Sequence, residues 1–335
     1  MEKLFFVIPC YGSERTISLV TDEIRRTMEG HLDYDFEIIL VNDCSPDGVW
    51  QVIRRLAAED CHIRGINLAR NFGQHGALMA GYGQASGDYI VSLDDDGQTP
   101  ADEVFSLLNH LLEGNYDLVY GVYEHIQQNA FRRFGSWVNE KMSEMMIDKP
   151  RGLKTTSYFV ARRFLIEEML RYQHSYTYIG GLIFRSTQNI STVPVKHRKR
   201  EVGHSGYTFG KLFSLWFNGF TAFSVKPLRA ATVIGLLCAL FGVLFGCYTV
   251  INKLLYTTQI DAGRSSIITA ITFIGGMILF MLGLVGEYIG RIYICINEAP
   301  QYVIREMTPG QDGGKEEDHG RGKEKQPGER DETGQ

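Results

Sequence analysis

No two of the six cysteines in this 335-residue chain are spaced as Cys-x-x-Cys, and no Cys/His cluster has the spacing of a zinc site. A zinc ribbon and a thiol–disulfide oxidoreductase are therefore excluded. Two of the six, Cys238 and Cys247, sit inside an apolar run, so the expectation is small buried hydrophobes in a reducing compartment. There is no excess of positive charge either: Lys and Arg total 34 against 39 Asp and Glu, a net charge of -5. A bulk nucleic-acid binder needs the opposite balance, so no nucleic-acid partner is expected. Several catalytic signatures are missing too. There is no GxxxxGK[ST] phosphate loop, no HExxH and no GxSxG nucleophile elbow. Gly81-Tyr82-Gly83 precedes an apolar strand pattern instead of following one, so it is not a dinucleotide fingerprint. Nothing at the start reads as a signal peptide. The opening apolar burst, residues 4–8, ends at Pro9 and is too short for one. It reads as a buried strand, which leaves the N-terminal part expected in the cytoplasm.

What is present begins with alternation. Strand patterns at 4–8, 36–41, 63–68, 89–93 and 118–120 are separated by helix patterns at about 13–28, 49–58, 76–85 and 103–112. Strands alternating with helices predict an α/β fold with a doubly wound, mostly parallel sheet over residues 1–210. Such sheets bind ligands beyond the carboxyl ends of their strands, so chemistry is expected in the residues after each strand.

Two uncharged apolar runs follow, 230–251 and 265–286. Each is about 22 residues, roughly 33 Å as a helix, which is enough to cross a bilayer core. The expected spans are 230–251 and 265–290, joined by a short polar loop as a hairpin. Lys211, Lys226, Arg229, Arg291 and Arg305 flank them, against Lys253 and Arg264 in the loop, so both termini are expected in the cytoplasm. The aromatic segment 211–229 reads as an amphipathic helix in the membrane interface, with a buried core helix as the other reading. Gly242-x-x-x-Gly246 and Gly286-x-x-x-Gly290 permit close packing, within the hairpin or between copies in a homo-oligomer. A cytoplasmic segment, 291–307, follows. Residues 308–335 are almost devoid of apolar side chains and are expected to be disordered.

The stretch richest in chemistry is Ile90-Val91-Ser92-Leu93-Asp94-Asp95-Asp96-Gly97-Gln98, an apolar strand running into three carboxylates. On an extended segment Asp94, Asp96 and Gln98 would share one face. Carboxylates crowded in this way call for a cation, and a hard divalent ion (Mg²⁺ or Mn²⁺) suits oxygen ligands that also meet phosphates. The other strand ends agree: Pro9-Cys10-Tyr11-Gly12-Ser13-Glu14 and Asn42-Asp43-Cys44-Ser45-Pro46-Asp47-Gly48. They suit a nucleoside, with Tyr11 stacking, Asp43 accepting from a base N–H and Arg70 meeting ribose or phosphate.

VIPCYGSE, VNDCSPDG and LARNFGQHGALMAGYGQASGDYIVSLDDDGQTP together resemble the family 2 glycosyltransferases of GT-A fold. Within that family they resemble the polyprenyl-phosphate enzymes akin to dolichol-phosphate-mannose synthase. GHSGYTFGKL, FNGFTAFSVKPLR and GLVGEYIGRIYICINEAPQY extend the likeness over about residues 4–305. The resemblance implies an inverting, metal-dependent transfer from a nucleoside-diphosphate sugar, with UDP the expected nucleotide, to a polyprenyl phosphate in the membrane lipid. It implies that Pro9, Tyr11, Glu14 and Asp43 contact the nucleoside; Arg70, from its place after a strand, and Asp95 are further candidates on the donor side. Asp94 and Asp96 sit at donor and metal as the catalytic pair, and Gln98 assists the metal.

The chain departs from the family pattern at three places. Gly12-Ser13 stands where Asn-Glu is usual, and Gly97 where Leu is usual. Thr155-Thr156-Ser157-Tyr158-Phe159 stands where many members have an acid just before a Phe. A general base is dispensable when the nucleophile is a phosphate oxygen, already anionic. The site must instead hold two anions together, and arginines and cations do that. Candidates for the acceptor phosphate are Arg132, Arg133 and Arg200, with Ser205 and Tyr207 as neutral donors. Arg200 is favoured because it keeps the family's spacing to Gly203, Ser205 and Tyr207. The basic run 196–200 also suits anionic headgroups. Two other readings fit the sequence less well. A processive polysaccharide synthase usually carries a QxxRW motif, which is absent. A non-catalytic membrane scaffold would not need the acidic triad.

Overall fold

In the computed structural model, the described residues are 1–123, 149–174, 177–196, 263–296 and 300–309, with scattered positions between 232 and 255. They form one eight-stranded mixed sheet with helices on both faces. The strands are β1 (Glu2–Cys10), β2 (Tyr34–Asn42), β3 (Ile63–Leu68), β4 (Tyr89–Ser92), β5 (Leu118–Tyr123), β6 (Phe159–Arg162), β7 (Ile190–Val195) and β8 (Ile304–Met307). Their order across the sheet is β7-β5-β6-β4-β1-β2-β3-β8. Pairs β1–β2, β1–β4, β2–β3 and β5–β7 are parallel. Pairs β3–β8, β4–β6 and β5–β6 are antiparallel.

β1 shows why its sequence reads as a continuous apolar run. Leu4, Phe6, Ile8 and Cys10 enter the core on one face of the sheet, while Phe5 and Val7 enter the core on the other. Side chains alternate along a strand, so a strand covered on both faces needs apolar residues at every position. On the first face lie α1 (Ile17–Glu29), α2 (Val49–Glu59) and α4 (Val104–Glu113). The second face is covered by α3 (Gly73–Tyr82), α5 (Arg163–Leu170) and α6 (Ile179–Ser186). In α1 the buried set Ile17, Val20, Thr21, Ile24 and Met28 recurs every three or four residues, the stripe expected of a helix on a sheet. Gly81 lets α3 come close: a Cβ there would stand 2.3 Å from Val7 Cγ1.

Helix α3 starts at Gly73, three residues earlier than the sequence pattern predicts. Its first amides are held mainly from outside the segment: Asp43 accepts from Phe72 N and Gly73 N, and the local Asn71 Oδ1 accepts only a longer bond, 3.1 Å, from Gly73 N. Strands β6, β7 and β8 have no counterpart in the sequence pattern. The last of these changes the reading of the C-terminal part. Residues 304–307 lie within the expected separate segment 291–307, yet they form the edge strand of the catalytic sheet. Thr308, expected to open a disordered tail, is held at both ends: Gly65 N donates to its Oγ1 at 2.8 Å, and Thr308 N donates to Gly65 O at 2.9 Å.

Between β7 and β8 lies the long helix α7 (Gly263–Ile296). Its stretch Phe273–Gly290 is long and apolar enough to cross a membrane. Ile271, Phe273, Leu279 and Ile289 on α7 are more than half exposed, apolar side chains of the kind that meet lipid or another apolar partner. The expected interfacial segment 211–229 lies outside the described residues, as does most of the first expected span.

Candidate active site

The site is assembled at the carboxyl ends of β1, β2, β3 and β4, where four loops converge. The acidic loop is fixed at both ends. Thr16 Oγ1 at the start of α1 donates to Asp95 O at 2.6 Å, and the buried Tyr158 hydroxyl donates to Pro100 O at 3.1 Å. Between these points the chain does not stay extended. Gly97 takes φ +73°, in the left-handed region, and Gln98 N donates to Asp96 Oδ1 at 3.0 Å. The expected alternation, with Asp94, Asp96 and Gln98 on one extended face, is thus replaced by a turn capped by Asp96.

The three carboxylates go different ways. Asp94 Oδ1 accepts from Gln74 Nε2 of α3 at 3.1 Å, and its Oδ2 accepts a short hydrogen bond from the Ser157 hydroxyl. Asp95 turns inward and accepts from the Tyr11 amide at 2.9 Å. Burial raises its pKa to about 6; the Tyr11 amide offsets part of the rise, and the charges of Asp94 and Asp96 add to it. Asp94 and Asp96 also help raise the pKa of Tyr123 at the end of β5, though burial is the larger cause. Tyr123 Oη lies 3.5 Å from Thr99 Oγ1. Gln74, Ser157 and Tyr123 are site residues that the sequence pattern did not single out. Ser157 falls in the segment noted for lacking an acid, and the structure gives that position a hydroxyl directed at Asp94.

The loops after β1 and β2 are joined to each other. Gly12 N donates to Ser45 Oγ at 2.8 Å, and Glu14 N donates to Asp47 Oδ2 at 3.0 Å. In return, Gly48 N donates to Glu14 Oε2 at 3.1 Å. A Cβ on Gly48 would stand 2.7 Å from Glu14 Oε1, so a larger residue there would make the Glu14 carboxylate shift. Tyr11 stands on the rim with its side chain 56% exposed, a surface on which a base can stack. Arg70 reaches the same rim after β3, its guanidinium 4.7 Å over the Phe72 ring. Pro9 lies buried within β1, opposite Val41.

Asp43 is placed differently from its expected use. It is only 3% exposed, and its two oxygens accept from Phe72 N at 2.7 Å and Gly73 N at 2.9 Å. Burial raises its pKa, and these two amides offset part of the rise. The structure therefore gives Asp43 the task of holding the N-terminus of α3, and with it Gln74, against the acidic loop.

The acceptor candidates Arg132, Arg133, Arg200, Ser205 and Tyr207 lie outside the described residues. One further ligand-type group, Asp60, Cys61 and His62, leads into β3 at the opposite end of the sheet. There Asp60 Oδ1 accepts from His62 N at 2.9 Å and sits 2.8 Å from His62 Nδ1, the bonds of a tight turn.

Comparison with known proteins adds two family matches. Residues 5–171 match the model for glycosyl transferase family 2, and residues 226–292 match the model for the GtrB C-terminal hairpin. The undecaprenyl-phosphate 4-deoxy-4-formamido-L-arabinose transferase of Shewanella sediminis is 33% identical over 91% of this chain and 92% of its own. The enzyme of the same name from Yersinia pestis is 33% identical over 92% of this chain and 94% of its own. Among solved structures, Mycobacterium tuberculosis glucosyl-3-phosphoglycerate synthase in complex with Mn²⁺ and UDP-glucose overlays in part. Its TM-score is 0.49 at 20% identity, over 66% of this chain and 77% of that one.

Proposed function

The chain belongs to glycosyl transferase family 2 and is a glycosyltransferase of GT-A fold, and on that premise we propose that it transfers a sugar from a nucleoside-diphosphate donor to a polyprenyl phosphate. The observation that carries the acceptor is the extent of the likeness. It runs through the catalytic sheet and the C-terminal hairpin alike, over 91% of the chain, in relatives named for undecaprenyl phosphate.

The rim supports the donor half of this reading. Tyr11 offers a stacking face, Glu14 and Asp43 order the two loops beneath it, and Arg70 brings a positive charge. UDP is the nucleotide we assign. Asp94, Asp96 and Gln98 offer oxygen donors of the kind Mg²⁺ or Mn²⁺ takes; burial is the main reason that the pKa of Asp95 beside them is raised, and the charges of Asp94 and Asp96 add to it. A cation held there would neutralise charge on the donor diphosphate. Gln74 and Ser157 orient Asp94 from opposite sides, so its geometry is set before any substrate arrives. Tyr123 and Thr99 close the rim beside it. No protein group has to deprotonate the acceptor, because a lipid phosphate is already an anion. It attacks from the face opposite the leaving diphosphate, and the sugar's anomeric configuration inverts. Arg200, with Arg132, Arg133, Ser205 and Tyr207, is assigned to the acceptor phosphate, by the fork geometry of guanidinium on phosphate oxygens.

Strand topology supports a membrane hairpin. β7 and β8 belong to one sheet, so the chain between them leaves one side of a membrane and returns to it. The number of crossings is therefore even. With α7 as one crossing, the apolar run 230–251 supplies the other, and both ends lie with the catalytic domain in the cytoplasm.

The test uses purified full-length protein, undecaprenyl phosphate and a set of radiolabelled nucleotide sugars, with Mg²⁺, Mn²⁺ or chelator. Label should pass to the lipid fraction only with a divalent cation, and Asp96→Asn should abolish transfer while the protein stays folded. Label appearing in a polymer, or turnover close to normal in Asp96→Asn, would overturn the reading.

A further inference from the structure

Glu306, Asn67 and Asn42 stand side by side on three adjacent strands. Asn67 is the register partner of Glu306 across β3–β8, and Asn42 is the register partner of Asn67 across β2–β3. Their side chains form a directed row. Asn67 Nδ2 donates to Glu306 Oε1 at 2.9 Å, Asn42 Nδ2 donates to Asn67 Oδ1 at 2.8 Å, and Ser45 N donates to Asn42 Oδ1 at 3.1 Å. Ser45 continues it: its hydroxyl accepts from Gly12 N and donates to Asp47 Oδ1 at 2.6 Å, and Asp47 holds Glu14 N. The row thus runs from the strand that follows the apolar helix into the two loops under Tyr11.

We propose that Glu306 is a positioning residue for the donor site, setting the direction of this row because its carboxylate can only accept. An asparagine amide can present either its oxygen or its NH₂, and the two Asn side chains are 4% and 7% exposed, out of reach of bulk water. Facing a carboxylate, Asn67 must turn its NH₂ outward and its oxygen towards Asn42. Asn42 must then turn its NH₂ to Asn67 and its oxygen to the Ser45 amide. With Asn67 reversed, its NH₂ would face the Asn42 NH₂; with Asn42 reversed as well, its NH₂ would face the Ser45 amide, and Ser45 would lose its anchor. β8 cannot slip away from this role, because Ala69 N donates to Val303 O at 2.8 Å and Thr308 is bound to Gly65 from both sides. The functional part of the proposal rests on the donor-site reading above; the row itself does not.

The experiment therefore has two independent arms on the full-length protein in detergent, comparing wild type with Glu306→Gln, Glu306→Ala and Glu306→Lys. The first is amide hydrogen exchange of peptides covering 10–14 and 42–48, with 63–69 and 300–309 as references. Loss of one charge-assisted bond should speed exchange in the two loops about fivefold in the Ala variant and at least as much in the Lys variant, which can only donate. Gln offers an acceptor oxygen and should restore near wild-type exchange. The second arm is equilibrium binding of UDP and of GDP, each with Mn²⁺. For whichever nucleotide wild type binds, Kd should rise about three- to tenfold in Ala and Lys and recover in Gln, while turnover at saturating donor is unchanged. Loops that exchange as in wild type, acceleration spread equally over 63–69 and 300–309, or no recovery in Gln would each overturn the row. Wild type binding neither nucleotide would instead overturn the donor assignment, with the exchange arm still deciding what Glu306 orders.

Discussion

Asp43→Ala should cost more in stability than in nucleotide contacts. In the structure the buried carboxylate gives one oxygen to Phe72 N and the other to Gly73 N, at 2.7 and 2.9 Å. Both amides lie at the start of α3, where the helix itself offers no acceptor. Each bond to a charged acceptor is worth about 1.5–3 kcal/mol, but the carboxylate also bears a burial cost, which is why its pKa is raised and not lowered. Removing the side chain relieves that cost, leaves Phe72 N unsatisfied and leaves Gly73 N only Asn71 Oδ1, at 3.1 Å, so the net loss should be about 1–3 kcal/mol. Asp43→Asn keeps one acceptor oxygen but turns an NH₂ towards the second amide, and should lose about half as much. The assay is denaturant unfolding of the full-length protein in a fixed detergent, followed by circular dichroism, with hydrogen exchange over residues 71–76. Exchange there should rise in both variants, more in Ala. Activity should fall as well, because α3 carries Gln74 to Asp94. If stability changes by less than about 0.5 kcal/mol and exchange at 71–76 is unchanged, the two amide bonds do not hold α3. A loss confined to nucleotide binding would return Asp43 to the role of base acceptor.

Three other outcomes are expected. Arg200→Ala should impair use of the lipid phosphate while leaving donor affinity within about twofold, and should exceed Lys196→Ala and Arg198→Ala; equal mild effects, reproduced by high salt, would mean general headgroup attraction. Truncation before Gly310 should leave transfer intact, whereas truncation before Thr308 should lower the thermal midpoint, because Gly65 loses both its partners; equal midpoints would refute this. Finally, burial lowers the pKa of His75 to about 4, below its unfolded value. The unfolded chain therefore takes up the proton first, so stability is full above about pH 6.5 and falls by at most about 3 kcal/mol as pH drops towards 4. His75→Phe, which keeps a ring beside Tyr178, should flatten that slope in unfolding curves measured from pH 7 to 4.5.

The parts of the fold that could be read from sequence are those where local pattern and tertiary role coincide. β1 and β2 are buried on both faces and carry unbroken apolar runs, Leu4–Ile8 and Ile38–Val41. α1 repeats its buried positions every three or four residues. The acidic loop announces itself because carboxylates rarely follow an apolar strand without a task. β8 has no such signature: in Ile304–Met307 three of four residues are exposed, and it is a strand only because β3 offers an edge. Long-range partners were equally hidden. Asp43 looks like a turn residue until Phe72 and Gly73 arrive beneath it, 29 and 30 positions later. Ser157 looks inert until the fold brings it to Asp94 across 63 positions. The extended acidic face failed for a local reason, since Gly97 permits a positive φ and the chain turns there.

The edge position of β8 also bears on how the catalytic part can be studied by itself. A soluble fragment cut after β7, at residue 196, would discard β8 with the hairpin. It would expose the β3 backbone of Ile66, Asn67 and Leu68 as an unpaired edge, open to pairing with another molecule. Such a fragment is expected to aggregate or dimerise through β3 and to bind nucleotide poorly, whatever its helices do. Returning residues 300–309 through a short linker, in antiparallel register with β3, would close that edge and give Asn67 back its carboxylate.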